Sequence, residues 1–153
     1  MKIISIHRKS SFYYWQLWLF YSSILFALSG LLLILCGTQS IFKYYYLAIS
    51  NILFNTDDLP KDVEIFRRLW VGVIGGTIFA CYSLLAFIAY YPFKEKQKWA
   101  QMAIIFSFSV WVLLDSYMCY LSRVYFQIYL LNAFSIIVKA LPLIFTWRDF
   151  RKS

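Results

Sequence analysis

The sequence predicts an all-α membrane protein, with four transmembrane helices in an antiparallel bundle and an interfacial helix between the first two spans. Three observations favour this class. Hydrophobic residues make up 62% of the 153 residues and charged residues only 14%, against roughly 25% charged in soluble domains. The apolar residues are concentrated in four runs long enough to cross a bilayer, and basic residues flank these runs. We therefore expect residues 1–153 to form one transmembrane domain.

Residues 15–36 form the first predicted span. Basic residues precede it, as they also do in a secretory signal peptide. The apolar run has about 22 residues, whereas the apolar region of a signal peptide usually has about 7 to 15. It also continues past Ala27-Leu28-Ser29-Gly30, the one plausible small-residue cleavage site. We therefore expect an uncleaved transmembrane helix.

Residues 41–54 predict a helix that lies in the membrane interface. At helical spacing, one face is apolar, and the opposite face carries Lys43, Ser50 and Asn51. The apolar face comprises Ile41, Tyr45, Ala48, Ile49, Ile52 and Leu53. After a turn, Asp57 or Asp58 is suited to cap a new helix that has Pro60 in its first turn. We expect this helix to continue directly into the second span.

The remaining spans are predicted at 69–91, 99–121 and 127–146. Gly72, Gly75 and Gly76 in the second span favour close approach of a neighbouring helix, and they are also compatible with room for a ligand. The turns after the second and third spans are short. The last three spans are therefore expected to be antiparallel neighbours.

The basic residues predict the orientation. Nine Lys and Arg lie in the two terminal tails and the 92–98 turn, and five lie on the other side. Both termini are therefore expected to be cytoplasmic. We also expect the membrane to be a bacterial inner membrane. The net charge of +8 fits contact with anionic lipid head groups better than contact with nucleic acid, because no basic patch stands apart from a span.

Asp115 is an acid inside the third apolar run. A carboxylate in hydrocarbon costs about 2.5 to 3.5 kcal/mol on insertion scales, so it is expected to face protein or water. Helical rise places Asp115, Asn132, Thr77 and Ser29 about 21 to 24 Å from the inner ends of their spans. They are predicted to form a polar layer, with Trp111 on the same face as Asp115. This layer is either interhelical packing or the lining of a pocket that opens to the outer leaflet.

Lys139 is the obvious counter-ion for Asp115, but the two residues differ in depth. Lys139 lies about 10 Å from the inner end of its span, some 14 Å below Asp115. We therefore expect no direct pair, and we expect the lysine to extend to the inner head groups.

No metal or cofactor site is predicted. The three cysteines match no metal-binding spacing, and the single histidine, His7, lies in the N-terminal tail.

From Pro92 onward, the chain resembles uncharacterised small four-span bacterial membrane proteins. The resemblance covers about 40% of the chain. It rests on Pro92-Phe93, the segment 96–100, Asp115, Asn132 and Leu141-Pro142-Leu143. It implies the four-span architecture and no activity.

The sequence favours a structural or accessory membrane subunit, acting as a homo-oligomer or within a larger complex. The alternative is binding or transport of a lipid or an amphipathic small molecule in an outer-leaflet pocket around Asp115. An enzyme has little support, because one carboxylate without a base, metal or nucleophile makes no catalytic set.

Overall fold

A computed structural model describes residues 11–56 and 61–151, which are helical apart from short turns and contain no strand. Within these residues, the five α-helices are α1 Ser11–Cys36, α2 Lys43–Phe54, α3 Lys61–Tyr90, α4 Lys98–Leu121 and α5 Ala133–Arg151. A 3₁₀ turn, Ser40–Phe42, precedes α2, and a π-helical segment, Gln127–Asn132, leads into α5. The prediction of an all-α fold is confirmed.

In the described part of the chain, four helical stretches are long and apolar enough to cross a membrane, and they overlap the four predicted spans. They are Ser11–Cys36, Val63–Tyr90, Lys98–Leu121 and Gln127–Arg151. The expected continuity before the second span is also present, because α3 runs unbroken from Lys61 to Tyr90. The proposed caps, Asp57 and Asp58, and Pro60 lie outside the described residues.

The α2 helix differs from its prediction in which side chains it buries. Ser50, predicted on the polar face, is almost fully buried, whereas Ile52 and Leu53 are exposed. The helix ends at Asn55, whose left-handed φ of 55° is a conformation that asparagine tolerates. The chain then turns back, and the Ser50 and Thr56 hydroxyl oxygens lie 3.3 Å apart. The location of α2 in the membrane interface stays a prediction.

The closest helix contact joins α1 and α3 through two glycines. A Cβ atom built on Gly30 would lie 2.7 Å from the carbonyl oxygen of Gly75, and one on Gly75 would lie 2.8 Å from that of Gly30. The backbones therefore touch where no side chain intervenes. Gly72 and Gly76 differ, because a Cβ atom on either would have no neighbour within 4 Å. Of the three glycines in the second span, Gly75 is the one that packs against α1.

An aromatic cluster joins three parts of the chain at one end of the molecule. Phe93, in the turn between α3 and α4, stacks on Phe12 of α1 at 5.8 Å and lies 4.8 Å from Phe150 of α5. All three rings are buried. The start of α1, the end of α3, the start of α4 and the end of α5 therefore meet at this end.

Pro142 lies inside α5 and changes the hydrogen bonding of the helix. Proline has no N–H to donate to the carbonyl of Val138, four residues earlier. The indole Nε1 of Trp18, on α1, donates to that carbonyl at 3.0 Å. A side chain of a neighbouring helix thus satisfies the acceptor that the proline leaves open.

Gln16 has the same role at the end of α3. The last carbonyls of a helix have no partner within the helix. The Nε2 of Gln16 donates to the carbonyl of Ala89 at 3.0 Å, and this glutamine is 2% exposed. Two polar side chains of α1 therefore bond to backbone carbonyls of α3 and α5.

A double-mutant cycle tests the Trp18 contact. We expect Trp18→Phe to lower the free energy of unfolding by about 1 kcal/mol, because it leaves the Val138 carbonyl without a donor. In the Pro142→Ala background the cost is smaller, because the alanine N–H can bond to that carbonyl. Unfolding in detergent micelles measures both values, and an equal cost in the two backgrounds would contradict the assignment.

Candidate functional site

Asp115 forms the centre of a polar cluster that joins α4 to the π-helical segment. The Nδ2 of Asn132 donates to Oδ2 of Asp115 at 2.8 Å and also lies 3.1 Å from the hydroxyl of Ser116. The thiol of Cys119, one turn along α4, donates to the same carboxylate oxygen at 3.6 Å. Asn132 is 2% exposed, and Asp115 is half-buried. The expected proximity of Asp115 and Asn132 is therefore present.

The π-helical segment places Asn132 in this cluster. A π-helix is wider than an α-helix and is rare outside single turns, which are frequent at functional sites. It occupies Gln127–Asn132, so Asn132 is its last residue before α5 begins. The sequence predicted a regular helix from residue 127, because the apolar pattern does not distinguish the two forms.

The α2 helix contacts the same end of the molecule through Tyr45. Its hydroxyl donates to Oε1 of Gln127 at 3.0 Å, and its ring packs against Phe126. Burial raises the pKa of the Tyr45 phenol to about 12, and nearby Tyr46, Cys119 and Asp115 act in the same direction. Tyr45 therefore remains a neutral donor at physiological pH, and its bond to Gln127 is retained.

The structure does not bring the other predicted members of the layer into hydrogen bonds with Asp115. Ser29 is exposed and donates to the carbonyl of Phe26 at 2.7 Å. Thr77 is also exposed and donates to that of Val73 at 2.9 Å. Helical rise gives the depth of a residue but not its face, and both hydroxyls bond to their own helix. The predicted polar layer thus reduces to Asp115, Asn132 and their neighbours on α4.

Trp111, the aromatic residue expected beside Asp115, is partly exposed. Its ring packs against Phe108, one turn earlier on α4, with 5.3 Å between centroids. Whether it lines a ligand site stays a prediction.

Lys139 corrects one expectation. It does not extend to the head groups, since it is 0% exposed in the interior of the four helices. Its Nζ donates to the hydroxyl of Ser22 at 2.9 Å and to that of Ser23 at 3.2 Å. No carboxylate among the described side chains lies within ion-pair distance of this ammonium. The expected lack of a direct pair with Asp115 therefore holds.

Hydrogen bonds within α1 orient the hydroxyls of Ser22 and Ser23 so that their oxygens can accept from Lys139. Both hydroxyls donate to the carbonyl of Leu19, at 3.2 Å from Ser22 and 2.6 Å from Ser23. Their lone pairs are thus free to accept from Lys139.

Two aromatic rings complete the environment of the ammonium. The Nζ lies 4.8 Å from the ring centroid of Phe26 and 5.1 Å from that of Tyr82. Ring faces attract cations electrostatically, and more strongly where water is excluded. We call Ser22, Ser23, Phe26 and Tyr82 the lysine cage. It joins α5 to α1 and α3.

The sequence carries a pattern that points to this cage. Helical rise places Ser22 and Ser23 about 11 to 12 Å from the inner end of the first span, and Lys139 at about 10 Å. Ser22, Ser23 and Lys139 therefore lie at similar predicted depths, as Asp115 and Asn132 also do. Snorkelling was the wrong expectation because hydroxyl partners were available at the depth of the lysine itself.

A cavity of about 1020 Å³ lies between α4 and α5. Ile105, Phe108 and Val112 line it from α4, and Ala140 and Ile144 line it from α5. Asp115 and Asn132 are not among its lining residues. We call this cavity the α4–α5 groove.

Hydrogen bonds at two depths along α4 hold this helix beside the last helical segment and leave the groove open. Toward the end with the aromatic cluster, Gln101 of α4 donates to the carbonyl of Leu143 at 3.4 Å, and Ile104 packs in the same buried core. Toward the other end, Asn132 bonds to Asp115. Away from these contacts, α4 and α5 have few close contacts with each other, and the groove lies beside them.

Conservative substitution tests the role of Asp115. Asp115→Asn keeps an acceptor for Asn132, so we expect it to change the free energy of unfolding by less than about 0.5 kcal/mol. Asp115→Leu removes the acceptor and is expected to cost about 0.6 to 1.7 kcal/mol, the range for hydrogen bonds between membrane helices. Unfolding in detergent measures both, and a large loss with Asp115→Asn would show that the charge itself is required.

For the lysine cage, we expect removal of the two serine hydroxyls to cost more stability than removal of the lysine itself. Replacing Ser22 and Ser23 together by alanine leaves a buried ammonium without hydroxyl partners, and we expect a loss of about 3 kcal/mol. Lys139→Met removes the charge at similar volume and is expected to change stability by less than about 1 kcal/mol. Ser29→Ala, on the exposed side of α1, is the matched control. Equal losses for Lys139→Met and the double serine variant would contradict this account.

No family model, curated protein or solved structure matches this chain. The resemblance of its C-terminal part to small four-span proteins therefore stays a prediction. The geometry of the chain carries the functional argument.

Proposed function

We propose that this chain is an integral membrane protein that binds a lipid or another amphipathic molecule in the α4–α5 groove. The single observation that carries the proposal is the cavity of about 1020 Å³ between these two helices. Ligand pockets in proteins commonly have volumes of about 300 to 1000 Å³ and mostly apolar walls. The groove has the size and lining of such a site.

The exposure of α4 supports access from the membrane. Of the four candidate spans, α4 is the least enclosed by the rest of the described chain. Of the residues in its apolar 18-residue stretch, 11% are buried. Leu113, at the far end of the groove, is 70% exposed. A molecule dissolved in the bilayer could therefore enter from the side without crossing the protein.

The proposal moves the ligand site predicted from the sequence. That site surrounded Asp115 in the outer leaflet, with Asn132, Thr77, Trp111 and Ser29 as its lining. The groove instead lies toward the end that holds the aromatic cluster. Asp115 then acts as the polar contact that fixes α4 against α5, while the groove between the two helices takes the ligand.

The proposed arrangement is an antiparallel bundle with α2 in the interface and both termini cytoplasmic, in a bacterial inner membrane. The aromatic cluster supports it, because Phe12, Phe93 and Phe150 bring helix ends of alternating direction together. The excess of Lys and Arg in the terminal tails and the 92–98 turn supports the orientation.

A structural or accessory subunit is the second candidate. The outward face of α4 favours it, since Phe106 is 70% exposed and Met102 and Met118 are also exposed. Such a face can pack against lipid, a second copy or another membrane protein. In this case we expect the purified chain to be bound to a helix of a second copy or of another membrane protein, and to no lipid.

Native mass spectrometry of the full chain in mild detergent tests the proposal. We expect a retained lipid-sized adduct that is lost in Ala140→Trp and in Ser109→Trp, two variants that fill the groove from opposite helices. Ile137→Trp is the matched control, because Ile137 is exposed on α5 outside the groove. The control should keep the adduct.

Two results would overturn lipid binding in the groove. One is an adduct-free spectrum of the unmodified chain after extraction in several mild detergents. The other is an adduct that both groove-filling variants retain. A protein that co-purifies at fixed stoichiometry, in place of lipid, would support the accessory subunit.

A further inference from the structure

We infer that the occupant of the α4–α5 groove is an anionic phospholipid whose head group binds Arg148. This inference rests on the proposed function, since it names the chemical class of the ligand in the same groove. It follows from where the basic side chains of α5 lie and from which of them lack a carboxylate partner.

Arg148 is the basic residue at the mouth of the groove. It lines the cavity next to Trp147 and is exposed. The carboxylate of the next residue, Asp149, lies 3.8 Å from the ammonium of Lys96. Among the side chains that the structure describes, no carboxylate lies within ion-pair distance of Arg148. Its guanidinium is therefore available to a ligand, and this group matches the geometry of phosphate oxygens.

Among the described lining residues, no second cation is free to bind a ligand. Lys139 contributes to the wall, but its ammonium is held in the lysine cage by Ser22 and Ser23. The remaining wall is almost entirely apolar. The free guanidinium of Arg148 thus lies at one end of the apolar α4–α5 groove. This arrangement suits an amphiphile with one anionic end.

The length of the groove fits one acyl chain. Its lining residues on α5 run from Ile136 to Arg148, which corresponds to about 18 Å of helix. One leaflet of a typical bilayer has a hydrocarbon thickness of about 15 Å. A chain that starts at Arg148 would therefore end near the bilayer midplane, beside Ile136 and Leu113.

The aromatic residue at the mouth supports a head-group site. Trp147 lines the groove, and the guanidinium of Arg151 lies 5.8 Å from the centroid of its ring. Tryptophan and basic residues together are typical of the level of the lipid head groups. In the proposed orientation this level belongs to the cytoplasmic leaflet, which holds anionic lipid.

Lipid titration of the full chain, followed by native mass spectrometry, tests the inference. The probes are phosphatidylglycerol and phosphatidylcholine with the same acyl chains, and oleate as a free carboxylate. We expect phosphatidylglycerol to bind about tenfold more tightly than phosphatidylcholine at low salt, which corresponds to about 1.4 kcal/mol. The difference should shrink as salt increases, because exposed charges are screened.

Substitution of Arg148 separates the head group from the chain. Arg148→Gln should bind both phospholipids equally, at the level that the unmodified chain shows for phosphatidylcholine. Lys94→Gln is the matched control, because Lys94 is an exposed cation at the same end of the molecule and does not line the groove. It should keep the tenfold preference.

The outcomes distinguish this inference from the proposed function. Equal binding of the two phospholipids to the unmodified chain, with loss of both in Ala140→Trp, overturns the anionic head group and leaves lipid binding intact. Tighter binding of oleate than of phosphatidylglycerol also overturns the phospholipid assignment. A preference that survives Arg148→Gln overturns the role of Arg148. Failure of all three probes to bind overturns both proposals.

Discussion

A polar group in hydrocarbon has no water to bind, so its hydrogen-bond partner must come from protein. This constraint explains the hydrogen bonds between the helices of this chain. Trp18 donates to the carbonyl that Pro142 leaves open, and Gln16 donates to a carbonyl at the end of α3. Asn132 donates to the carboxylate of Asp115. Each bond joins two elements, so satisfying the polar groups also fixes the positions of the helices.

Lys139 is the most demanding case, because it is a cation with no carboxylate nearby among the described side chains. Its charge is compensated by two hydroxyl oxygens and two ring faces. Such partners are weaker than a carboxylate, but they require no second buried charge and no desolvation of an anion. The small side chains of Ser22 and Ser23 also allow α5 to approach α1. The lysine thus holds the two helices together without an ion pair.

The helices were predictable from the spacing and the length of the apolar runs. The partners of the polar groups were not, because they depend on which way each side chain faces. The continuity of α3 and the contact of Asp115 with Asn132 followed from spacing and depth. Ser29 and Thr77 were placed in the wrong environment because both hydroxyls can bond to their own backbone. The cage of Lys139 was missed because the matching depths of Ser22, Ser23 and Lys139 do not show that the three side chains face one another. The π-helical turn and the α4–α5 groove depend on tertiary packing, which apolar runs do not encode.

The same polar contacts that fix α4 also define the groove beside it. Gln101 holds α4 against α5 near one end, and Asp115 holds it near the other. Neither contact requires the apolar side chains between them to interlock, since lipid tails can solvate these side chains as well as another helix can. A helix fixed at two levels and loosely packed elsewhere leaves space that an acyl chain can fill. The free guanidinium at the mouth, Arg148, then decides which head group accompanies that chain.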